Sequence, residues 1–192
     1  MNGPDEALWA GGPFDPRALF RRDAPLEVEI GSGKARFLVA AARGSPEHDF
    51  LGVERALSYY RICRERVAKS GLSNAAALRA DGSLFVGSLA PASVAAFHVY
   101  FPDPWPKKKQ IKRRFLDAVT LESLSSRLSP GGTLRIATDH PGYGRAIRSH
   151  LETVESLERL EWEVLAPPPP TNYEIKYAAE GRPIWRFLLR RR

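Results

Sequence analysis

Short apolar runs alternate along the chain with longer stretches in which apolar residues recur at helical spacing. The short runs predict five strands, at residues 26–30, 49–54, 75–79, 94–101 and 133–138. The longer stretches predict helices at residues 34–43, 57–69, 113–128 and 143–157. Alternation of this kind is typical of a parallel sheet with crossover helices.

The last part of the chain departs from that alternation. Residues 161–165 and 184–189 predict two more strands, around a loop with four consecutive prolines at 167–170. Two closing strands after the last helix favour an antiparallel hairpin at one edge of the sheet. The predicted fold class is therefore α/β, a doubly wound and mostly parallel sheet with an antiparallel C-terminal edge hairpin.

The length of 192 residues fits one domain. We assign residues 24–192 to that domain and residues 1–23 to an N-terminal extension. We expect the extension and the proline run to be the most mobile segments.

The net charge of +7 comes almost entirely from one segment. Residues 107–114, with the sequence KKKQIKRR, hold six cations and no anion, and the rest of the chain is close to neutral. A local cluster of positive charge is how a protein binds a polyanion. The alternative is a solvated basic loop or a run that resembles a nuclear-localisation signal.

Several classes of protein are disfavoured by what the sequence lacks. Cys63 is the only cysteine, so neither a disulfide framework nor a multi-cysteine metal site can form. The four histidines are scattered, without a His-x-x-x-His pair, so we expect no metal. We see no signal-peptide pattern and no apolar stretch of about 18 residues, and we expect a cytoplasmic protein with no membrane partner.

Carboxylates lie at the ends of the first five predicted strands. They are Glu29, Glu54, Asp81, Asp103 and Asp139. Ligands of open α/β sheets bind just beyond the carboxyl ends of the strands. One such residue means little on a surface loop, but five in succession favour a binding site.

The turn after the first strand has the form Gly-x-Gly, with Gly31 and Gly33. Glycine permits the tight turn and lets a ligand approach the backbone. Glu54 follows at about the spacing at which an acidic residue binds ribose hydroxyls, which leaves a dinucleotide or another adenosyl cofactor. The dinucleotide fingerprint has a third glycine where this chain has Arg36. S-adenosylmethionine has no phosphate and two cationic centres, so it suits a carboxylate-lined pocket better.

The loop after the fourth strand is the most specific feature. Residues 101–109 read FPDPWPKKK, which places a carboxylate, a tryptophan and a basic run among rigid prolines. Proline holds Asp103 in place at low entropic cost. Trp105 either stacks on a nucleobase or packs half-buried against the protein.

From residue 26 to residue 186, the chain resembles a known family, the bacterial tRNA (guanine-N7-)-methyltransferases. The resemblance rests on EIGSGK (29–34), GVE (52–54), FPDPWPKKK (101–109), RRFLD (113–117), PGGTLRIATD (130–139) and TNYE (171–174). It implies the Rossmann-like sheet of S-adenosylmethionine-dependent methyltransferases. It also implies methylation of N7 of a guanine in the tRNA variable loop.

The resemblance also implies residue roles. The cofactor would be bound by Glu29, Gly31, Gly33, Glu54, Asp81 and Asp103, with Asp103 also catalytic. The substrate would be bound by Lys107, Asp139, Thr171, Asn172, Tyr173 and Glu174. The RNA would be engaged by Lys109, Gln110, Ile111, Lys112, Arg113 and Arg114. The chain departs from the family pattern at Ala35, where a third glycine is usual, and at His140, where tryptophan is frequent.

The chemistry of guanine limits what the carboxylates can do. N7 carries a lone pair and no proton, so the displacement at the methyl group needs alignment more than a general base. A carboxylate near the N1–H and amino edge would select guanine and stabilise the positive charge that develops. Asp103 is the first candidate for that contact, with Glu174 and Asp139 as alternatives.

Three other functions stay open at this stage. A methyltransferase for another RNA, a small molecule or a protein would keep the cofactor pocket. A non-enzymatic RNA-binding module would not need the three acidic cofactor residues, and a nicotinamide-dependent dehydrogenase is disfavoured by Arg36. On the family resemblance, we expect the partner to be tRNA. We expect the protein to be a monomer or a homodimer.

Overall fold

The computed structural model describes residues 7–9, 11–12 and 14–192, and within them seven strands form one sheet in the order β3-β2-β1-β4-β5-β7-β6. The strands are β1 (Leu26–Ile30), β2 (Asp49–Glu54), β3 (Ala75–Arg79), β4 (Val94–Tyr100), β5 (Leu128–Thr138), β6 (Leu157–Leu160) and β7 (Trp185–Arg191). The helices are α1 (Arg36–Gly44), α2 (Leu57–Ser70), α3 (Gly82–Ser88), α4 (Ala118–Arg127), α5 (Pro141–Leu151) and α6 (Asn172–Ala179).

The sheet has the predicted architecture. Neighbouring strands from β3 through β5 are parallel, whereas β7 is antiparallel to both β5 and β6. The predicted edge hairpin is confirmed, with β7 as its inner strand. The strand order reverses between β1 and β4, which is the switch point where such sheets open a crevice for a ligand.

The two faces of the sheet carry separate cores. Helices α3, α4 and α5 pack against one face, through residues such as Phe85, Leu121 and Ile147. Helices α1 and α2 pack against the other face, around Phe37 and Cys63. Because side chains alternate along a strand, the acidic residues of β1 lie on the α1 face.

A buried hydrogen-bond network accommodates one of those acidic residues. Glu27 Oε1 lies 2.6 Å from His48 Nδ1, and Glu27 Oε2 lies 2.7 Å from His98 Nε2. His98 Nδ1 in turn lies 3.0 Å from the Tyr100 hydroxyl, within hydrogen-bond distance. Burial raises the pKa of Glu27, but the hydrogen bonds from His98 and His48 outweigh burial and hold that pKa below its ordinary value.

The predicted helix at 113–128 is wrong at its start, since α4 begins at Ala118, whereas its end at Arg127 is within one residue of the prediction. Asp117 caps α4, because its carboxylate accepts the Thr120 N–H at 2.8 Å. The segment Lys108–Arg113 forms a 3₁₀ helix instead. The Pro-Gly-Gly at 130–132 does not stop a helix; it lies inside β5, where the pairing with β4 is irregular between Val94 and Ala96.

The C-terminal boundaries also differ from the prediction. Helix α5 is capped by His140 and ends at Leu151, short of the predicted 157. The strand predicted at 161–165 is wrong: β6 ends at Leu160, and Trp162–Val164 is a 3₁₀ helix. Helices α3 and α6 were not predicted, because each is short and offers little apolar periodicity.

The predicted mobility of residues 1–23 falls partly on residues 1–6, 10 and 13, which lie outside the described residues. The Trp9 N–H donates to the carbonyl of Arg79 at 2.8 Å. The rings of Trp9 and Phe14 pack on each other and on Phe85. The domain limits at 23 and 24, and the mobility of the extension and of the proline run, stay predictions.

Candidate functional site

A cleft of about 1220 Å³ lies at the carboxyl ends of the central strands. It is lined by the acidic residues Glu29, Glu54, Asp81 and Asp103. A site for a single small molecule is usually about 300–1,000 Å³. This cleft therefore has room for a cofactor and for part of a second molecule.

The Gly-x-Gly turn forms the floor of the cleft. Gly31 and Gly33 have φ values of 79° and 52°, which glycine adopts without strain. The Gly31 N–H donates to the carbonyl of Val53 at 2.8 Å, which ties the turn to the end of β2. Ala35 follows with a φ of 55° and is fully buried, so an alanine is held in the left-handed region at the start of α1.

Two of the cleft carboxylates are held by backbone N–H groups. Glu54 accepts the Gly33 N–H at 2.9 Å and the Ala56 N–H at 2.8 Å. Asp81 caps α3, because it accepts the N–H groups of Ser83 at 3.0 Å and Leu84 at 3.3 Å. Backbone donors leave little freedom to a carboxylate, so both side chains are positioned before any ligand arrives.

Glu29 has a different environment. It is only 4% exposed, and its Oε2 has no hydrogen-bond partner within the described part of the chain. Burial and the nearby Glu54 raise the pKa of Glu29 well above its ordinary value, against the hydrogen bond from the Leu38 N–H. A buried carboxylate oxygen without a partner is costly, and a cationic ligand in the cleft would offset that cost.

The proline-rich loop holds Asp103 over the same cleft. Phe101 and Trp105, on either side, have positive φ values of 52° and 39°. Arg114 anchors the loop from behind: its Nε–H donates to the carbonyl of Pro104 at 2.8 Å, and its guanidinium lies 4.7 Å from the ring centroid of Tyr143. Asp103 is exposed and makes no hydrogen bond or ion pair to the described residues.

The basic segment 107–114 leaves the cleft directly after this loop. Lys107, Lys109 and Lys112 are exposed and have no ion-pair partner among the described residues. Arg113 is stacked on the half-buried Trp105, with its guanidinium 5.1 Å from the ring centroid. The lysines are therefore available for a polyanion, whereas Arg113 and Arg114 also contact the loop.

Helix α6 brings the TNYE residues to the opposite wall. Thr171 caps the helix by accepting the Glu174 N–H at 3.0 Å. The Tyr173 ring stacks on Tyr177 and contacts Phe101. Burial and the neighbouring hydroxyls of Tyr59 and Tyr177 raise the pKa of Tyr173.

The last two predicted carboxylates are paired with arginines. Asp139 lies 3.1 Å from Arg182, and Glu174 lies 2.7 Å from Arg186. Neither carboxylate lines the cleft; Glu174 lines a smaller hollow of about 350 Å³ beside it.

The predicted residues thus divide into two sets. Twelve line one cleft: Glu29, Gly31, Gly33, Glu54, Asp81, Asp103, Lys112, Arg113, Arg114, Thr171, Asn172 and Tyr173. Six lie outside its lining: Lys107, Lys109, Gln110, Ile111, Asp139 and Glu174.

Residues of α2 and of the capped helix start were missed by the sequence reasoning. Tyr59 and Arg66 line the cleft from α2, and Asp117 lines it from the start of α4. Tyr59, Cys63 and Arg66 recur at helical spacing, so they share one face of α2. That spacing could have indicated a shared face of α2. Apolar periodicity alone, however, does not distinguish a helix face that lines a cleft from one that is simply exposed to solvent.

A metal-binding cluster and a membrane-spanning helix are both absent from the part of the chain that the structure describes. It contains no group of three or more His, Cys, Asp or Glu residues that could hold a metal ion. None of its helices is long and apolar enough to cross a membrane.

Comparisons with known proteins agree on one group. Residues 23–187 match a family described as "Putative methyltransferase". The tRNA (guanine-N(7)-)-methyltransferase of Thiobacillus denitrificans is 34% identical over 189 residues, which covers 94% of this chain and 83% of that protein. Its counterpart in a Nocardioides species is 38% identical over 190 residues, with 98% and 76% covered.

Solved structures support the same fold. The aminoglycoside resistance methyltransferase NpmB1 superimposes with a TM-score of 0.61 at 16% identity, covering 96% of this chain and 95% of that one. At that level of identity the likeness concerns the fold alone.

Proposed function

The chain belongs to the tRNA (guanine-N(7)-)-methyltransferase family, and on that premise we propose that it transfers a methyl group from S-adenosylmethionine to N7 of a guanine in the variable loop of tRNA. The observation that carries the proposal is that one continuous cleft joins the carboxylates at the strand ends to the start of the basic segment 107–114. One wall holds fixed carboxylates and the Gly-x-Gly turn, and the other holds Asp103 directly before six cations. A cofactor pocket thus opens onto a surface that suits RNA.

The residues of the cleft fit S-adenosylmethionine. The unpartnered Oε2 of Glu29 is a buried carboxyl oxygen that a cationic ligand would satisfy. Glu54 is positioned to accept hydrogen bonds from ribose hydroxyls, and Asp81 extends the acidic wall beyond it. When bound, the cofactor supplies an electrophilic methyl group; the protein supplies its orientation.

Asp103 is the residue that we assign to the guanine. It lines the cleft, carries no competing contact, and is held by prolines on both sides and by Arg114. Placed at the N1–H and amino edge, its charge would select guanine and stabilise the positive charge that develops on the purine. Since N7 carries no proton, Asp103 acts by position and charge, without abstracting a proton.

Asp139 and Glu174 are less suited to be the first contact with the base. Each is engaged by an arginine and lies outside the lining of the cleft. They would reach a substrate only after exchanging these partners. We therefore give them a secondary role in substrate binding, together with Lys107 and the Thr171–Tyr173 wall.

The tRNA would approach along the basic segment 107–114. Its exposed lysines are suited to phosphate groups, and contacts of that kind position RNA without reading its sequence. A tRNA substrate puts the protein in the cytoplasm, where it would act as a monomer or a homodimer. A methyltransferase for another substrate and a non-catalytic RNA-binding module are not favoured by the relatives.

The decisive experiment is direct. The purified protein is incubated with an unmodified tRNA transcript and methyl-labelled S-adenosylmethionine, and the RNA is digested to nucleosides. We expect labelled N7-methylguanosine with a transcript that has a guanine in the variable loop. A matched transcript with adenine at that position should give none. Label in another nucleoside, or none with either transcript, would overturn the proposal.

A further inference from the structure

Three cations on the cofactor side of the cleft have no role in the function proposed above. Lys34 belongs to the glycine turn, Arg36 to the first turn of α1, and Arg66 to α2. All three are exposed and line the cleft. None makes a hydrogen bond or ion pair with the residues that the structure describes. We call them the α1–α2 cation group.

Other cations of the same helices behave differently. Lys69 of α2 pairs with Glu65 at 2.5 Å, and neither Lys69 nor Arg43 of α1 lines the cleft. Exposed cations that line one opening without direct ion-pair partners repel each other and gain little within the chain. Their placement is explained if an anion from outside reaches the mouth of the cleft.

The α1–α2 cation group lies across the sheet from the basic segment 107–114. Helices α1 and α2 cover one face of the sheet, and α4, which follows the basic segment, covers the other. Arg114 contacts Tyr143 of α5 on that second face, and its neighbours Lys112 and Arg113 line the same cleft. The opening is thus flanked by cations on both faces, with the acidic cofactor wall between them.

That arrangement suits a polyanion more than a small one. A single carboxylate, such as that of the cofactor, needs one cationic partner, whereas a nucleotide strand carries a phosphate at every residue. A strand that inserts one base into the cleft must pass its backbone over both rims. The phosphates before and after that base then face opposite sides of the opening.

We propose that the α1–α2 cation group is a second phosphate-binding surface, which contacts the tRNA backbone on the side of the cleft opposite the basic segment 107–114. The proposal rests on the proposed function, because it assumes an RNA strand at the cleft. It divides the electrostatic contact between two surfaces, although segment 107–114 accounts for most of the net charge.

The test compares two double variants that each remove one cation from α1 and one from α2. R36Q/R66Q alters the cleft-lining pair, and R43Q/K69Q is the matched control on the same helices. For each protein, the tRNA dissociation constant is measured at several salt concentrations and the S-adenosylmethionine dissociation constant at one. The four side chains are exposed, so both variants should fold; circular dichroism verifies this.

We expect R36Q/R66Q to bind tRNA more weakly and to flatten the slope of log affinity against log salt by about 0.7–0.9 per lost contact. The control should keep the wild-type slope, and all three proteins should bind S-adenosylmethionine equally. An unchanged slope in R36Q/R66Q would overturn the proposal, and so would an equal loss in both variants. Weaker cofactor binding with an intact slope would instead assign these cations to the cofactor carboxylate.

Failure of this proposal is distinguishable from failure of the proposed function. The nucleoside assay on the wild-type protein decides whether N7-methylguanosine forms, independently of any salt slope. If N7-methylguanosine forms and the slopes do not change, only the second surface is disproved.

Discussion

The two walls of the cleft hold their carboxylates by different means. On the side that we assign to the cofactor, Glu54 and Asp81 are each fixed by two backbone N–H groups, and Asp81 also lies 3.6 Å from Arg55. On the side that we assign to the substrate, Asp103 has no partner among the described residues, and Asp139 and Glu174, which lie outside the lining of the cleft, are held by arginine side chains. The carboxylates on the first side are thus held mainly by backbone groups, whereas those on the second side depend on side chains that can exchange partners.

This difference suits the two ligands. A small cofactor gains from a wall that needs no rearrangement, since preorganised hydrogen-bond acceptors lower the cost of binding. A folded RNA must present a base from a larger structure. Partly exposed ion pairs contribute only about 0–1 kcal/mol, so a substrate can displace them cheaply. The variants below separate the two walls, from the largest expected effect to the smallest.

The largest effect is expected from D103N, on the substrate wall. The change keeps the shape of the side chain and removes its charge, and loss of one positioned electrostatic group typically lowers turnover by about 10²–10³-fold. Cofactor affinity should change far less than turnover, because Glu29 and Glu54 remain. Steady-state methylation of tRNA together with calorimetry of cofactor binding measures both. Near-normal turnover would remove Asp103 from its assigned role.

E29Q should mainly lower the affinity for the cofactor, in contrast to D103N, which should mainly lower turnover. Hydrogen bonds to charged groups contribute about 1.5–3 kcal/mol, so cofactor affinity should fall by about 10–100-fold while tRNA affinity holds. Because the pKa of Glu29 is raised, the wild-type protein should lose cofactor affinity as the pH falls, at a higher pH than an ordinary carboxylate would require. Titrations between pH 8 and pH 5.5 measure this loss. An E29Q variant with the same pH dependence as the wild type would exclude Glu29 as its source.

E27Q tests the hydrogen bonds of Glu27 with His48 and His98, beneath the cofactor wall. Glu27 accepts hydrogen bonds from both histidines, so its neutral replacement should lower the free energy of unfolding by about 1–3 kcal/mol at pH 7. The pKa of Glu27 is lowered in the folded protein, so its contribution is complete above its unfolded value of 4.5 and is lost as the pH falls through the lower folded value. Urea unfolding at pH 7 and at pH 4 should therefore show a smaller difference between variant and wild type at pH 4. A difference that grows on acidification would contradict this sign.

T171A should affect only the substrate wall. Loss of an N-cap costs about 1 kcal/mol, and α6 contains no buried residue that would compensate locally. Amide hydrogen exchange across Asn172–Ala179 should become about fivefold faster, with no change in α1. T171S keeps the hydroxyl and should restore the wild-type rate. Faster exchange throughout the chain would show that Thr171 stabilises the whole fold and not one helix.

The positions of Glu29, Glu54 and Asp81, which form the cofactor wall, were largely predictable from the sequence, because short local patterns determine them. Strands β1, β2 and β3 have the predicted limits, because a glycine or a carboxylate lies at the end of each short run or within two residues of it. A carboxylate at the end of a central parallel strand lies near the edge where ligands bind, although Asp139 after β5 shows that a distant partner can hold it outside the cleft. Glu29, Glu54 and Asp81 were singled out first by these positions, and all three line the cleft; their role in cofactor binding stays a prediction.

The substrate wall was less predictable, because its contacts are distant along the chain. Asp139 pairs with Arg182, which is 43 residues away, and no local pattern signals that pair. Helix α6 was missed since its stability comes from the Thr171 cap and the aromatic contacts of Tyr173, and not from an apolar stripe. The helix expected from 113 failed because apolar periodicity continues upstream of the Asp117 cap.

The smallest effect is expected where the cofactor wall departs from the family pattern. Ala35 has a φ of 55°, and the left-handed conformation costs a non-glycine residue about 1–2 kcal/mol. A35G would relieve that strain, but it would also remove a fully buried methyl group worth about 0.8 kcal/mol and free the unfolded chain by about 0.4–1 kcal/mol. The terms nearly cancel, so A35G should change the free energy of unfolding by less than about 1 kcal/mol and leave cofactor affinity unchanged. A gain of 2 kcal/mol in urea unfolding would mean that strain dominates, and the cofactor wall would then be less relaxed than its backbone hydrogen bonds indicate.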